Sequence, residues 1–297
     1  MNDGERGARM SASLGDASFH AGALTALMSG RTTATMGWFG ARVHRIVEES
    51  APVLRRIPLA PFGLRVEAHD ARQRVASLPL APLRAWLQKH RLVVLRGFAP
   101  LDAGELQTFG RTLGELQTSP AGGACEADPC ADRARSAWVD QEVPMHWDHV
   151  VGLSPRYLVF HCDAALPPGG GGESFFSDTT RVLAGAPFQE RAAWTAVTLQ
   201  YPSAAGTITQ SLLDRHPLTG DAVLRYAEPT RAGERAHEER AGALFAGLRR
   251  RLYDPRVCYP HPWRDGDVLL ADNHVLLHGR APFAQGARRR VRRVNVL

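Results

Sequence analysis

The stretch GDVLLADNHVLLHGRAPF spans residues 266–283, and RRRVRRVNVL closes the chain at 288–297. GDVLLADN, HVLLHGRAPF and RRRVRRVNVL read as three successive strands. Working upstream, RYLVFHC (156–162) and SFFSD (174–178) read as strands separated by the turn LPPGGGGE, and HPLTGDAVLRY (216–226) as a hairpin around Thr219–Gly220. One helix interrupts them, ERAHEERAGALFAGLRRRLYDP, with Leu244, Leu248 and Leu252 at i, i+4 and i+8 and a stop before Pro255. In the first half, GLRVEAH reads as a strand. APLRAWLQKH reads as a helix with Leu83, Trp86, Leu87 and His90 on one face, and RLVVLRGF as a buried strand. Asp102 and Glu105 form a capping box for AGELQTFGRTL, which Gly114 ends. Short strands at regular spacing, with helices mostly in the first half, predict a mostly β fold with helical support: a double-stranded β-helix, or jelly roll.

Composition sets the frame. The 297 residues are 44% hydrophobic and 22% charged, as in a globular protein, and no apolar run nears the roughly 18 residues of a membrane helix. Residues 1–50, rich in Ala, Gly, Ser and Thr with little periodicity, are expected to be a disordered tail, and 51–297 a single domain. No secretory signal is present, so a cytoplasmic location is expected. Cys125, Cys130, Cys162 and Cys258 form no C-x-x-C pair and are expected as free thiols. Much of the formal charge of +6 sits in RRRVRR at 288–293, which calls for its own explanation.

VPMHWDHV (143–150) offers the chemistry. On a strand, residues i and i+2 share a face, so His146 and Asp148 converge on one ion while Trp147 points away. His149 reads as a supporting or surface residue. A third ligand must come from far along the chain, and His274 and His278 are both available. Two histidines and one carboxylate on one face of an octahedron leave three positions open, the pattern of non-haem Fe(II) oxygenases rather than of zinc. Arg289, Val291 and Arg293 alternate and are expected to share a strand face, where a guanidinium can hold a dicarboxylate co-substrate bidentately.

Together VVLRGF, HWD, GGGGESFFSDT, RHPLTGDAVLRY, GDVLLADNHVLLHGRAPF and RRRVRRVNV resemble the TauD/TfdA superfamily of Fe(II)- and 2-oxoglutarate-dependent dioxygenases, over about residues 60–297. HWD, VFHCDA, RLYDP, PWRDGDVLLADN and LLHGRAPF look most like its isonitrile-pathway branch, which acts on amino-acid-derived isocyano acids. HGR and RVNV are similar to clavaminate-synthase-like hydroxylases. The resemblance implies that His146, Asp148 and His278 bind iron, His278 standing where the family places its histidine before Gly-Arg. It implies that Arg289 holds the distal carboxylate of 2-oxoglutarate, with Ser174 assisting, and that Arg293 faces the substrate or the same co-substrate. The implied reaction uses O2 and turns 2-oxoglutarate into succinate while a substrate C–H is oxidised by hydroxylation, desaturation or oxidative decarboxylation.

The partner is expected to be a small carboxylate, an amino acid or N-modified amino acid of secondary metabolism, because a second buried guanidinium needs an anion. The small, charged segment 115–142, with Glu126, Asp128 and Asp132, reads as receiving a basic group and departs from an aromatic lining. The alternatives are a sulfonate-type TauD oxygenase, a nucleic-acid demethylase of the same chemistry, and a non-catalytic jelly-roll binding protein. No aromatic platform for a flipped base is visible, and nucleic acid is not an expected partner.

Overall fold

The computed structural model describes residues 54–118, 140–148, 154–203, 206–228 and 242–297. The tail 1–50, His149, Cys125, Cys130, the acids at 126, 128 and 132, and the first turns of the helix expected from 234 lie outside the described residues.

Burial patterns define the layers. Along β3 (Leu92–Arg96), Val93 and Leu95 face one core while Leu92 and Val94 face another. In β12 (Val268–Asp272), Val268 and Leu270 join the first core, and Leu269 and Ala271 the second. β5 (Tyr157–Ala164) divides likewise, with Tyr157 and Val159 against Leu158, Phe160 and Cys162. Strands buried on both faces read as continuous apolar runs, which is why these segments lack polar alternation.

With β1 (Arg55–Pro58), β2 (Leu64–Glu67) and β14 (Arg290–Val296) they form a six-stranded sheet of order β1-β2-β3-β12-β5-β14, in which only β2 and β3 pair in parallel. Four strands make the second sheet, antiparallel throughout: β11 (Cys258–His261), β6 (Ser174–Asp178), β13 (Leu276–Arg280) and β4 (Val143–His146). Phe176 and Leu276 of this sheet pack against Leu158, Phe160 and Val291 of the first, so the second core lies between the sheets. The jelly roll expected from the strand spacing is the observed architecture.

Helices cover both outer faces. α1 (Leu80–His90) and α2 (Ala103–Leu113) bury Leu83, Leu87, Leu106 and Phe109 against the larger sheet. The capping box is formed, with Glu105 N donating to Asp102 Oδ1 at 2.8 Å and Asp102 N to Glu105 Oε2 at 2.9 Å. On the smaller sheet, Val182 of α3 (Thr179–Gly185), Trp194 of α4 (Phe188–Thr195) and Leu248 of α5 (Gly242–Leu252) pack onto Met145, Trp147 and Leu277. The ribbons β7 (Thr198–Ser203) with β8 (Gly206–Ser211) and β9 (Leu213–Arg215) with β10 (Ala222–Leu224) complete this side. No helix of the described residues is long and apolar enough to cross a membrane.

Two features depart from the sequence reading. α3 and α4 interrupt the strands in addition to α5; at 7 and 8 residues they are too short to show a clear helical period, and Asp178 caps the start of α3 by accepting from the backbone N–H of Thr180 and Arg181. The last strand begins at Arg290, and a register shift follows between Arg290 and Val291. Arg289 therefore stands just before the strand rather than within it, and the residue skipped in the register is Asp163 of β5.

Candidate active site

β4 and β13 are neighbours, and their register sets His146 directly opposite His278. A close approach makes this pairing work: a Cβ on Gly279 would stand 2.7 Å from the Val143 carbonyl oxygen, so only glycine lets β4 lie there without displacement. The two rings sit with centroids 4.2 Å apart. Just past the end of β4, Trp147 turns into the outer core beside Met145, and Asp148 returns to the inner face as alternation requires. Asp148 Oδ1 lies 3.6 Å from His146 Nε2 and 3.8 Å from His278 Nε2. One ligand atom from each of the three residues falls within 4.8 Å of the others.

The donor set suits a divalent transition metal. His146 Nδ1 lies 2.9 Å from the Pro144 carbonyl, a contact that requires the proton on Nδ1 and leaves the Nε2 lone pair facing His278 and Asp148. Both ring nitrogens of His278 are buried without a hydrogen-bond partner, a costly arrangement that a metal on Nε2 relieves. Burial, with the neighbouring His146, pushes His278 well below the usual histidine range and so keeps it in the neutral, ligating form. For Asp148, burial acts to raise the carboxyl, but the Arg293 charge and the His146 hydrogen bond outweigh it and hold it ionised, well below the usual range. Arg293 NH1 stands 2.6 Å from Asp148 Oδ2 as a close ion pair.

Arg289 lies at the other end of β13. Its Nε donates to the Gly172 carbonyl at 2.8 Å, and a Cβ on Gly172 would meet Arg289 Cδ at 2.8 Å. The glycine run is thus a cradle for this guanidinium rather than a phosphate loop. Burial, reinforced by the charge of Arg280, lowers Arg289 to about 10, and it forms no salt bridge among the described residues. Two residues beyond Gly172, Ser174 Oγ accepts from Trp263 Nε1 at 3.0 Å. An indole N–H only donates, so the hydroxyl hydrogen of Ser174 is directed elsewhere.

Comparison with known proteins identifies the architecture. Residues 56–295 match the family model described as "Taurine catabolism dioxygenase TauD, TfdA family". The chain belongs to this family. It is 35% identical, over 86% of its length and 99% of the relative's, to the 3-((Z)-2-isocyanoethenyl)-1H-indole synthase of Fischerella ambigua. It is 34% identical, over 79% of its length and 87% of the relative's, to the tyrosine isonitrile desaturase of Pseudomonas aeruginosa. The solved structure of PvcB, described as an Fe, alpha-ketoglutarate dependent oxygenase from an isonitrile synthetic pathway, superposes with a TM-score of 0.70 at 33% identity, covering 82% of this chain and 91% of that one.

In this TauD/TfdA-family chain a second histidine–carboxylate group, His216, Asp272 and His274, also brings ligand atoms within 4.8 Å. Its chemistry is wrong for a metal. His216 Nδ1 accepts from the backbone N–H of Leu218 and Thr219 at 3.1 and 3.2 Å, so its proton sits on Nε2, facing Asp272 Oδ2 at 3.5 Å. Arg91 stands 3.7 Å from the same carboxylate oxygen, and burial followed by the Arg225 charge lowers His274 to about 4. A cation would meet two guanidinium groups and no free His216 lone pair. His274 therefore belongs to a structural network, and only His278 reaches His146 and Asp148.

Sequence reasoning missed Asn273. Its Oδ1 accepts from Asp148 N at 3.0 Å, and its Nδ2 donates to the carbonyls of Asp148 and Pro155 at 2.8 Å each. The amide thereby clamps the chain on which Asp148 is carried. Its signal was present in LLADN, at the end of a buried strand where an amide is out of place unless bonded. Trp263 was missed as well, its role resting on a contact with Ser174 that is 89 residues distant in sequence.

Proposed function

We propose that this protein is an Fe(II)- and 2-oxoglutarate-dependent oxygenase of secondary metabolism that desaturates an aromatic amino-acid-derived isocyano acid, with or without loss of its carboxylate. The observation that carries the reading is the His146–Asp148–His278 cluster with Arg293 against its carboxylate, in a chain about one-third identical to two isonitrile-pathway enzymes. A sulfonate or nucleic-acid substrate has no comparable support. The reading narrows the amino-acid-derived carboxylate expected from the sequence to its N-isocyano form, and follows the relatives in taking an aromatic side chain in place of the small one read from segment 115–142, most of which lies outside the described residues.

In this reading His146, Asp148 and His278 hold iron, and Arg289 with the Ser174 hydroxyl takes the distal carboxylate of 2-oxoglutarate. Iron, when bound, supplies the oxidising chemistry: overall, two hydrogens leave the substrate while 2-oxoglutarate and O2 become succinate, CO2 and water. The protein's part is placement and exclusion of water. Arg293 Nε is buried without a hydrogen-bond partner while NH1 holds Asp148, so the guanidinium can take a substrate carboxylate and keep its grip on the ligand. Phe160 lies under Arg293 with its centroid 5.8 Å from the guanidinium carbon, and with Phe176 it walls the His278 ring in apolar surface. Such walls strengthen the charge interactions at the site and keep bulk water from the reacting carbon.

The test is succinate formation by the purified protein with Fe(II), 2-oxoglutarate and O2, with product analysed by mass. Isocyano acids made from tyrosine, tryptophan and phenylalanine are compared with the free amino acids and with taurine. Stimulation by an aromatic isocyano acid and a product two mass units lighter, or lighter by a further CO2, is expected. Stimulation by taurine or by free amino acids alone would replace the reading.

A further inference from the structure

Arg293 and Asn295 are two residues apart on β14 and point the same way. Their partners across the strand pair are Phe160 and Leu158, both in the core between the sheets, whereas the alternate residues Val294 and Val296 face the helical layer. Asn295 thus looks onto the inner face whose neighbouring position, Arg293, reaches Asp148.

The chain after α2 runs back along the open edge of β14. Leu297 N donates to the Glu115 carbonyl at 2.8 Å, Leu116 bridges Val296, and Gln117 N donates to the Asn295 carbonyl at 2.9 Å. This register puts Gln117 opposite Asn295, where Asn295 Nδ2 donates to Gln117 Oε1 at 2.9 Å. Asn295 is 5% exposed, and its Oδ1 has no hydrogen-bond partner. Among the described residues, the reading above assigns the ligands to iron, Arg293 to a carboxylate, and Arg289 and Ser174 to the co-substrate, and it leaves Asn295 Oδ1 without a role. An amide acceptor held by Gln117 on an otherwise apolar wall is costly unless a donor reaches it.

We propose that Asn295 Oδ1 accepts a hydrogen bond from the donor on the substrate's aromatic head, a phenol O–H or an indole N–H, and so selects hydroxylated or nitrogen-bearing rings over plain phenyl. The inference rests on the aromatic isocyano acid reading of the preceding subsection. Asn295 lies two positions along the strand from Arg293, roughly 6.6 Å of backbone, which is the length scale of one aromatic amino acid from carboxylate to ring. A site built to bond an O–H or N–H discriminates against the analogue lacking it because its own buried group is then left unpaired.

The experiment is an anaerobic binding titration of the full chain with Fe(II) and 2-oxoglutarate, following the perturbation of the metal-to-co-substrate charge-transfer band as isocyano acids are added. Those from tyrosine, O-methyltyrosine and phenylalanine are compared. Wild type is expected to bind the tyrosine-derived acid roughly 10-fold or more tightly than the other two. Asn295→Leu should erase that preference by weakening the tyrosine-derived acid alone, and Asn295→Asp, which keeps an acceptor, should retain it. Survival of the preference in the leucine variant overturns the proposal, as does equal affinity of wild type for all three acids, a result that needs no variant to fold. If 2-oxoglutarate gives its band but none of the three acids perturbs it, the aromatic isocyano acid reading itself falls, and this inference with it.

Discussion

At the scale of single residues, the site is set by which atoms are left with lone pairs. His146 spends Nδ1 on a backbone carbonyl and keeps the Nε2 lone pair facing Asp148, whereas His216 spends Nδ1 as an acceptor and has no lone pair left. On the proposed assignment, His146→Ala, Asp148→Ala and His278→Ala each abolish the charge-transfer band of the anaerobic Fe(II)–2-oxoglutarate complex, and His274→Ala keeps it. Retention of the band by the first three would move the metal elsewhere. On the same proposed assignment, the co-substrate supplies the anion for the buried Arg289 guanidinium. Its charge-assisted hydrogen bonds contribute about 1.5 to 3 kcal/mol, so Arg289→Ala should weaken 2-oxoglutarate roughly 10- to 150-fold in the same titration. An unchanged affinity in that variant, with Arg293→Ala affecting it instead, would exchange the two roles.

Elements place these atoms. β4 and β13 carry one histidine each, and the absence of a side chain at Gly279 allows the backbones to close until the rings face one another. Gly279→Ala would put a methyl 2.7 Å from the Val143 carbonyl, and the strands would have to part. The expected outcome is a folded protein with strand circular dichroism intact and Fe(II) affinity lowered at least 10-fold, although no ligand has changed. Normal metal affinity would show that the loop carrying Asp148 adapts. Much of this scale was legible in advance: the strand character of VLLAD and LLHGR, the capping box at Asp102 and the alternation around Trp147 all follow from local pattern. The two helices after Asp178 and the late start of β14 were not, because short elements are fixed by caps and bulges that periodicity does not register.

Across the whole molecule, one buried carboxylate joins neighbouring strands of the larger sheet to β11 of the smaller one. Arg96 at the end of β3 grips Asp267, just before β12, with bonds of 2.7 and 2.6 Å, and His261 Nε2 stands 3.3 Å from the same carboxylate. Burial acts to raise the Asp267 carboxyl, but the bonds from Arg96 and His261 prevail and lower it. A carboxyl depressed in the folded state stabilises fully above its unfolded value near 4, and that contribution drains away as pH falls through the lower folded value. Asp267→Asn should therefore cost about 3 to 5 kcal/mol at pH 7, the penalty for breaking a buried pair, and the gap from wild type should narrow below pH 4. Denaturant melts at pH 7 and pH 3 measure both; an equal gap at the two pH values would mean that the asparagine acts through packing and not through charge.

The sequence by itself determined the jelly roll and, from strand alternation, His146 and Asp148 as candidates, because periodicity is a local property; the order of its motifs carried the family resemblance, which pointed to Arg289 and Ser174. His274 and His278 stood on equal terms in that local pattern, and family resemblance alone favoured the second. Only the tertiary structure sets them apart on physical grounds: the register of β13 against β4 puts His278 beside His146 and Asp148, and His274 lies with His216 and Asp272 in a network of its own. It also revealed Asn273, Trp263 and Asn295, whose roles depend on partners 125, 89 and 178 residues distant in sequence. Such roles cannot be read from spacing, since a buried polar atom acquires its function from whatever the fold sets against it.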